Sequence, residues 1–309
     1  MRSHGWYDLP PFEYDREGGV LKTVVGIGPL TPALSPRRGE RGKGGVRGER
    51  EKGSADVTFR VRSGKGEARA EGLEASELRA IARRVFSLDL DLADAEQSFA
   101  HEPVLARALS VRGGRMLRAP SLFEDAVKIL FTTNCSWGAT RGMVSRLIAF
   151  AGADGRAFPT PESVARLSTA TIEKRVRCGY RAGALSLFAR RVASGKLDLS
   201  SWEDRERPSE ELREAIVKER GFGPYAAEGL MRILGRHDFY ALDSWTRQQY
   251  RRMYPGRPAS TDRAIARRYR RFGAHRGLAL WLDMTRGWHG TDPPTWPEVG
   301  GGSRDPGAR

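Results

Sequence analysis

Apolar residues change their period along the chain, and the change divides it. Val57, Phe59 and Val61 alternate with polar neighbours, the repeat of a half-buried strand, and a second short strand is expected around Glu67 to Glu71. Upstream, WYDLPPFEYDREGGVLKTVV sets β-formers on both sides of a turn at Arg16 to Gly19, so a small antiparallel sheet is predicted. The spacing then lengthens to that of helices. Ser76 is placed to cap a helix through Phe86, with Leu78, Ile81, Ala82 and Val85 on one face. Beyond Arg112 no strand pattern recurs. Ser121-Leu-Phe-Glu124 reads as a capping box opening a helix to about Thr133, with Phe123, Val127 and Leu130 inward. Further helices are expected at Ala139 to Phe150, Pro161 to Leu167, Ile172 to Val176, Arg181 to Ser194, Glu210 to Arg220, Thr246 to Met253, Asp262 to Phe272 and His275 to Gly287.

The stretch from Leu212 to Tyr250 is the most informative. Leu212, Ile216 and Val217 fall at helical spacing before Gly221-Phe222-Gly223 interrupts them with two residues free to take positive φ. Pro224 reopens a helix, its missing N–H costing nothing at the first position. Ala226, Ala227, Leu230, Met231 and Leu234 supply the apolar face, and Gly235 ends it. A glycine hairpin that opens a helix leaves backbone N–H groups unpartnered at the positive end of the helix dipole. That is an anion site, and a phosphodiester backbone can approach it whatever its base sequence. Asp243 follows where the loop His237 to Leu242 turns into the next helix. Its ordinary role there is an N-cap, and a carboxylate at that point can also face the ligand of the hairpin.

Composition agrees with a polyanionic partner. The 309 residues carry 53 Lys and Arg against 38 Asp and Glu, a net charge of +15. A generally arginine-rich surface would give the same balance. Mean hydropathy is -0.53, which points to segments outside any core. Residues 26–53 are rich in Gly, Pro and Arg and are expected to be a disordered insertion between two strands. Its string LTPALSPRRGERG resembles peptides translated from bacterial intergenic repeats. The tail 291–309 is expected to be disordered as well. Cys135 and Cys178 are the only cysteines, too few for an iron-sulfur cluster, and the five histidines show no metal-ligand spacing. No apolar run approaches a membrane span and the N-terminus lacks a signal-peptide core, so a cytoplasmic protein is expected.

The hairpin GFGPYAA, its spacing to LDSWTRQQY, and the upstream CGYRAGALSLFARRVASG together resemble the helix-hairpin-helix DNA glycosylases. The segment SLFEDAVKILFTTNCSWGATRGMVSRLIAF is similar to the opening helices of the 3-methyladenine and 8-oxoguanine branches. The likeness spans roughly residues 115–290, with Arg220 standing where the usual hairpin has proline. It implies an α+β fold: an N-terminal antiparallel sheet domain over residues 1–110, then an all-α glycosylase core over 111–290. It also implies a monomer acting on double-stranded DNA that contains a damaged base.

The resemblance assigns roles residue by residue. Asp243 would be the catalytic carboxylate, with Asp238 a weaker rival. Gly221, Phe222, Gly223 and Tyr225 would form the DNA-binding hairpin, whose carbonyls could hold a structural monovalent cation. Tyr225 stands where strand-cleaving members carry lysine, and tyrosine supplies no amine for a Schiff base. A monofunctional enzyme is therefore implied, with alkylated purines favoured and 8-oxoguanine or a non-catalytic DNA-binding module as alternatives. Asn134 and Trp137 occupy the position of the wedge that fills the gap left by an extruded base, and Tyr225 and Trp245 are candidates for the base pocket. Core packing is the competing reading for each aromatic, and the better one for any single member of Trp245, Tyr180, Phe222, Trp281 and Trp288; a base pocket still needs two or three exposed aromatics, of which Trp137 and Trp245 come first.

Overall fold

The computed structural model describes residues 5–15, 17–27, 53–62, 65–255 and 261–288; the expected insertion and tail otherwise lie outside them. Four strands form an antiparallel meander in chain order, β1 Glu13–Asp15, β2 Val20–Ile27, β3 Gly53–Arg62 and β4 Lys65–Ala70. The β2/β3 register pairs Leu21 with Phe59, Thr23 with Val57 and Val25 with Ala55. These six residues are buried, so alternation puts one face of the sheet against the helices. The same ladder pairs Ile27 with Gly53, so the ends of the segment read as an insertion are zipped into the sheet.

Helix α1, Ala75–Val85, lies against β4 and sets Phe86 edge-on to Phe59 at 5.1 Å. Its cap differs from the expected one. Glu74 occupies the N-cap and forms a capping box with Glu77, which leaves Ser76 inside the first turn. The helices α2 Ala93–Phe99 and α3 Pro103–Ser110 follow, both absent from the periodicity reading. They are followed by α4 Leu122–Thr132, α5 Trp137–Ala151, α6 Pro161–Ala165, α7 Thr169–Val176, α8 Arg181–Ala193, α9 Ser200–Glu203 and α10 Ser209–Val217. The chain continues through α11 Pro224–Ile233, α12 Ser244–Met253, α13 Asp262–Tyr269 and α14 Arg276–Met284.

Helix α4 is the axis of the body. Every residue from Leu122 to Phe131 is buried, because α5, α8 and α11 all pack on it. Such enclosure forces its polar side chains to pair. Ser121 caps the helix by accepting from the Glu124 N–H at 3.2 Å, but Glu124 does not complete the capping box; its carboxylate turns inward to Lys128 at 2.7 Å. Asp125 accepts from Trp6 Nε1 and from the Ala119 N–H, both at 2.8 Å, and pairs with Arg84 at 2.9 Å. This buried carboxylate ties the N-terminal segment, α1 and α4 together.

Apolar side chains gather in two clusters. One joins the sheet, α1 and the helices from α4 to α11. The other joins α2 and α3 to the helices from α12 onward, with Phe99 edge-on to Phe272 at 5.3 Å. Helices α2 and α3 thus share their core with the C-terminal helices rather than with the sheet, whereas α1 stays with the sheet.

Candidate active site and DNA-binding hairpin

The turn between α10 and α11 is fixed from beneath. Glu219 is buried and pairs with Arg191 at 3.0 and 3.1 Å, while Phe222 is buried with its ring 5.1 Å from Phe188. Gly221 takes φ +92°, and a Cβ there would lie 2.7 Å from Ala184 and 2.8 Å from Leu130, so no other residue fits without displacement. Gly223 is different: it is extended and exposed, and a Cβ would meet nothing within 4 Å. The absence of a side chain at Gly223 is therefore not required by this fold. It leaves open access to the first-turn amides of α11, which no side chain caps. Phe222 belongs to the hairpin by position, and its side chain packs in the core, the reading favoured for this aromatic, where it anchors the turn. Arg220, in the usual proline position, is exposed and lies across the start of α8 near Gly183.

Asp243 is the N-cap of α12, the role its place at the end of the loop predicts. Its Oδ1 accepts from the Thr246 N–H at 2.6 Å, and its Oδ2 makes no hydrogen bond to a described residue. One oxygen holds the side chain in place, and the other is available. The loop that delivers it is gripped by α11. Ala241, two residues before Asp243, has φ +45°, an unfavourable conformation for alanine. Its N–H donates to Glu228 Oε2 at 3.0 Å, and Arg232 Nη2 donates to the carbonyls of Tyr240 and Ala241 at 2.6 and 3.1 Å. Glu228 is held in turn by Arg213 at 3.1 Å, and the Arg232 guanidinium stacks over Trp281 at 4.7 Å. Glu228 and Arg232 stand four residues apart on one face of α11, forming a clamp on both sides of the strained residue.

Tyr225 belongs to the same face. Its hydroxyl lies 3.5 Å from Thr132 Oγ1, and burial, with the nearby Asp243 charge, pushes the phenol up. Tyr225 is thus a neutral phenol at physiological pH. Burial lowers the Arg232 pKa, while Asp243 and then Tyr225 oppose that shift, which places the three groups in one electrostatic neighbourhood.

A groove of about 460 Å³ runs between the hairpin and the end of α4. Gly221, Phe222, Gly223, Tyr225 and Asn134 all line it. Asn134 is exposed, with φ +45°, and its amide donates to the Tyr180 hydroxyl at 3.3 Å. Tyr180 was the residue missed: expected in the core, it is 63% exposed at the groove, with Arg181 over its ring at 4.5 Å. The hydrogen bond with Thr133, together with that from Asn134, holds its phenol below the usual value.

Two other candidates lie elsewhere. Trp137 donates from Nε1 to Asp8 at 2.9 Å, and its ring covers Gly5 so closely that a Cβ there would lie 2.3 Å from it. It seals the N-terminal segment onto α5 and is held there. Trp245 follows Asp243 on α12 and is 36% exposed, its ring 5.8 Å from both Trp281 and Trp288. Asp238, read as solvated, is half-buried, and its Oδ1 has no hydrogen-bond partner among the described residues. Among those residues no group of three potential ligands could hold a metal ion, and no helix is long and apolar enough to cross a membrane.

Sheet, hairpin and capped aspartate together define an α+β helix-hairpin-helix architecture. Solved structures share this fold. The 3-methyladenine DNA glycosylase from Archaeoglobus fulgidus superposes with a TM-score of 0.63 at 20% identity, over 93% of this chain and 93% of that one. The 8-oxoguanine glycosylase/lyase of Clostridium acetobutylicum, in complex with double-stranded DNA, gives 0.63 at 17% identity over 90% and 89%. MBOgg1 with a low-affinity DNA ligand gives 0.61 at 20% over 89% and 97%. These are the two branches whose motifs the sequence resembles. No protein-family model matches the chain, and no curated protein does.

Proposed function

We propose that the chain is a DNA N-glycosylase that flips a damaged base out of a duplex and hydrolyses its N-glycosidic bond. The observation that carries this reading is Asp243: clamped at the end of a strained loop, with one oxygen fixed and the other not bonded to any described residue, in the electrostatic neighbourhood of Tyr225 on the hairpin helix. As the C1′–N bond breaks, its electron pair leaves with the base and positive charge develops on the sugar. A fixed carboxylate stabilises that charge and takes a proton from water as the water oxygen bonds to C1′. The base takes up a proton, and the sugar remains as an intact abasic site. Tyr225 has no amine to form a Schiff base, so water is the nucleophile and the strand is not cut. The fold neighbours called glycosylases, free or bound to DNA, support the reaction class.

The carbonyls of Arg220, Gly221 and Phe222 accept no hydrogen bond from a described residue, a donor set that suits a structural monovalent cation. Such an ion would brace the turn and take no part in the reaction.

Alkylated purines fit an enzyme without a lysine at 225. A neutral lesion such as 8-oxoguanine is the second reading, and Arg232 favours it. Purines alkylated at a ring nitrogen carry positive charge, which this guanidinium would repel, whereas its Nε–H, without a partner among the described residues, suits an acceptor on a neutral base. A panel of single-lesion duplexes separates the two.

Asp243→Asn tests the mechanism. The amide oxygen can still cap α12, so folding and duplex binding should persist, while excision should fall by at least ~10² to 10³. Borohydride should trap no covalent adduct with the wild type, and strand breaks should appear only after alkali. Full excision by Asp243→Asn would remove the carboxylate from the mechanism, and a robust trapped adduct would remove the monofunctional assignment. Duplex binding without excision of any lesion would leave a DNA-binding module.

A further inference from the structure

A second concave surface borders the loop that delivers Asp243. It is a groove of about 890 Å³ lined by Arg263, Arg267 and Arg270 from α13 and the turn after it, by Arg276 from α14, and by Tyr240. None of the four arginines forms an ion pair with a described residue. Their neighbours do: Arg247 pairs with Asp262 at 2.7 Å, and Arg271 with Glu102 at 2.7 Å. The nearby acids are therefore engaged by other arginines, and the groove keeps its charge uncompensated. Tyr240 is fixed at its edge by a hydrogen bond from its hydroxyl to the Ala266 carbonyl at 2.8 Å, with Arg276 5.9 Å from its ring centroid.

We propose that this groove is a second binding site for the phosphate backbone of the same duplex, gripping the strand that flanks the extruded base. The proposal rests on the DNA-glycosylase reading and extends it to a surface remote from the hairpin. Arg263, Arg267 and Arg270 recur at helical spacing on one face, and seven residues of helix rise about 10 Å. Phosphates on one strand advance about 3.4 Å along the duplex axis, so this row spans about three of them. Exposed cations spread along a line suit a linear polyanion better than a single free phosphate. Position also favours the same DNA. Tyr240 lines the groove, its carbonyl is held by Arg232, and Asp243 lies three residues on, at most ~11 Å away along the chain. A duplex presenting a nucleotide to Asp243 therefore runs within reach of these arginines.

The test is the salt dependence of binding to an undamaged duplex, measured by fluorescence anisotropy on the full chain. The variant R263Q/R267Q/R270Q is compared with R79Q/R83Q/R107Q, which removes the same charge from exposed positions on α1 and α3. The groove variant should lower the log-log slope by about 0.9 for each phosphate it no longer neutralises, close to 2 or 3 in total, and weaken binding by about 10- to 100-fold at physiological salt. The α1/α3 variant should change both far less. Equal effects of the two variants would overturn the proposal, as would an unchanged slope in the groove variant; R263E, which reverses one charge, repeats the test without a triple substitution. Wild-type protein that binds no duplex would bring down the DNA reading itself. Duplex binding and excision with no groove effect would bring down the second site alone.

Discussion

Glu228→Ala should separate the placing of Asp243 from the folding of the protein. The carboxylate does not reach Asp243; it accepts from the buried Ala241 N–H at 3.0 Å and is held by Arg213. Truncation leaves that N–H without an acceptor, which costs ~1–3 kcal/mol, and frees Ala241 from a left-handed conformation worth a further ~1–2 kcal/mol of strain. The two effects act in the same direction on the loop. Relieved of its strain, it relaxes away from φ +45°, and Asp243 moves with it. A displacement of about 1 Å at a reacting group costs ~10² in rate. Single-turnover excision by Glu228→Ala should therefore fall about a hundredfold, while duplex affinity stays within a few-fold, since neither the hairpin nor the four groove arginines are touched. Glu228→Gln keeps an oxygen for the Ala241 N–H and should recover most of the rate. If Glu228→Ala lost stability yet excised at the wild-type rate, the clamp would have no part in positioning Asp243.

Two glycines of one hairpin should behave in opposite ways. Gly221→Ala meets Ala184 and Leu130 at positive φ and should destabilise the fold by ~1–3 kcal/mol in urea unfolding, whereas Gly223→Ala should leave stability nearly unchanged and weaken duplex binding. Equal loss of stability in both would refute the assignment of Gly223 to ligand access. Burial holds the His237 imidazole down to about 3, with the charges of His275 and Arg232 adding to the effect. Because this folded value lies below the unfolded one of ~6.5, the unfolded state binds the extra proton, and His237 costs nothing above pH ~6.5. Stability should fall as pH drops from ~6.5 towards 3, by up to ~1.4 kcal/mol per pH unit, and His237→Asn should flatten that slope. An identical slope in the variant would assign the acid sensitivity to other groups.

The features of the site that could be read from the sequence are those encoded by local geometry. Gly221 and Gly223 announce a turn, Pro224 announces a helix start, and Asp243 announces an N-cap, each within a few residues of its effect. Alternation at Val57 and Phe59 likewise revealed the sheet face. What escaped detection depends on which way a side chain turns in a packed body. Glu124 occupies the capping-box position yet pairs with Lys128, because α4 is enclosed on all sides and a buried ammonium needs a carboxylate more than the Ser121 N–H does. Tyr180 sits at the N-cap of α8, where periodicity says nothing about exposure, and Trp137 was drawn from the wedge by a hydrogen bond to a residue 129 positions away.

The clamp was invisible for a related reason. Glu228 and Arg232 stand four residues apart and read as an ordinary solvated pair on a helix surface, the commonest arrangement of such residues. They do not bond each other in the folded chain; one accepts from and the other donates to the backbone at Ala241. Only a backbone that enters the left-handed region beside them turns a solubility pattern into a positioning device. The carbonyl that Arg232 holds belongs to Tyr240, whose ring borders the arginine groove. On the proposed reading, one loop of residues 240–243 would carry a backbone grip, a phosphate-facing edge and the acting carboxylate, so a force that seats DNA in the groove would be applied three residues from the group that must be placed.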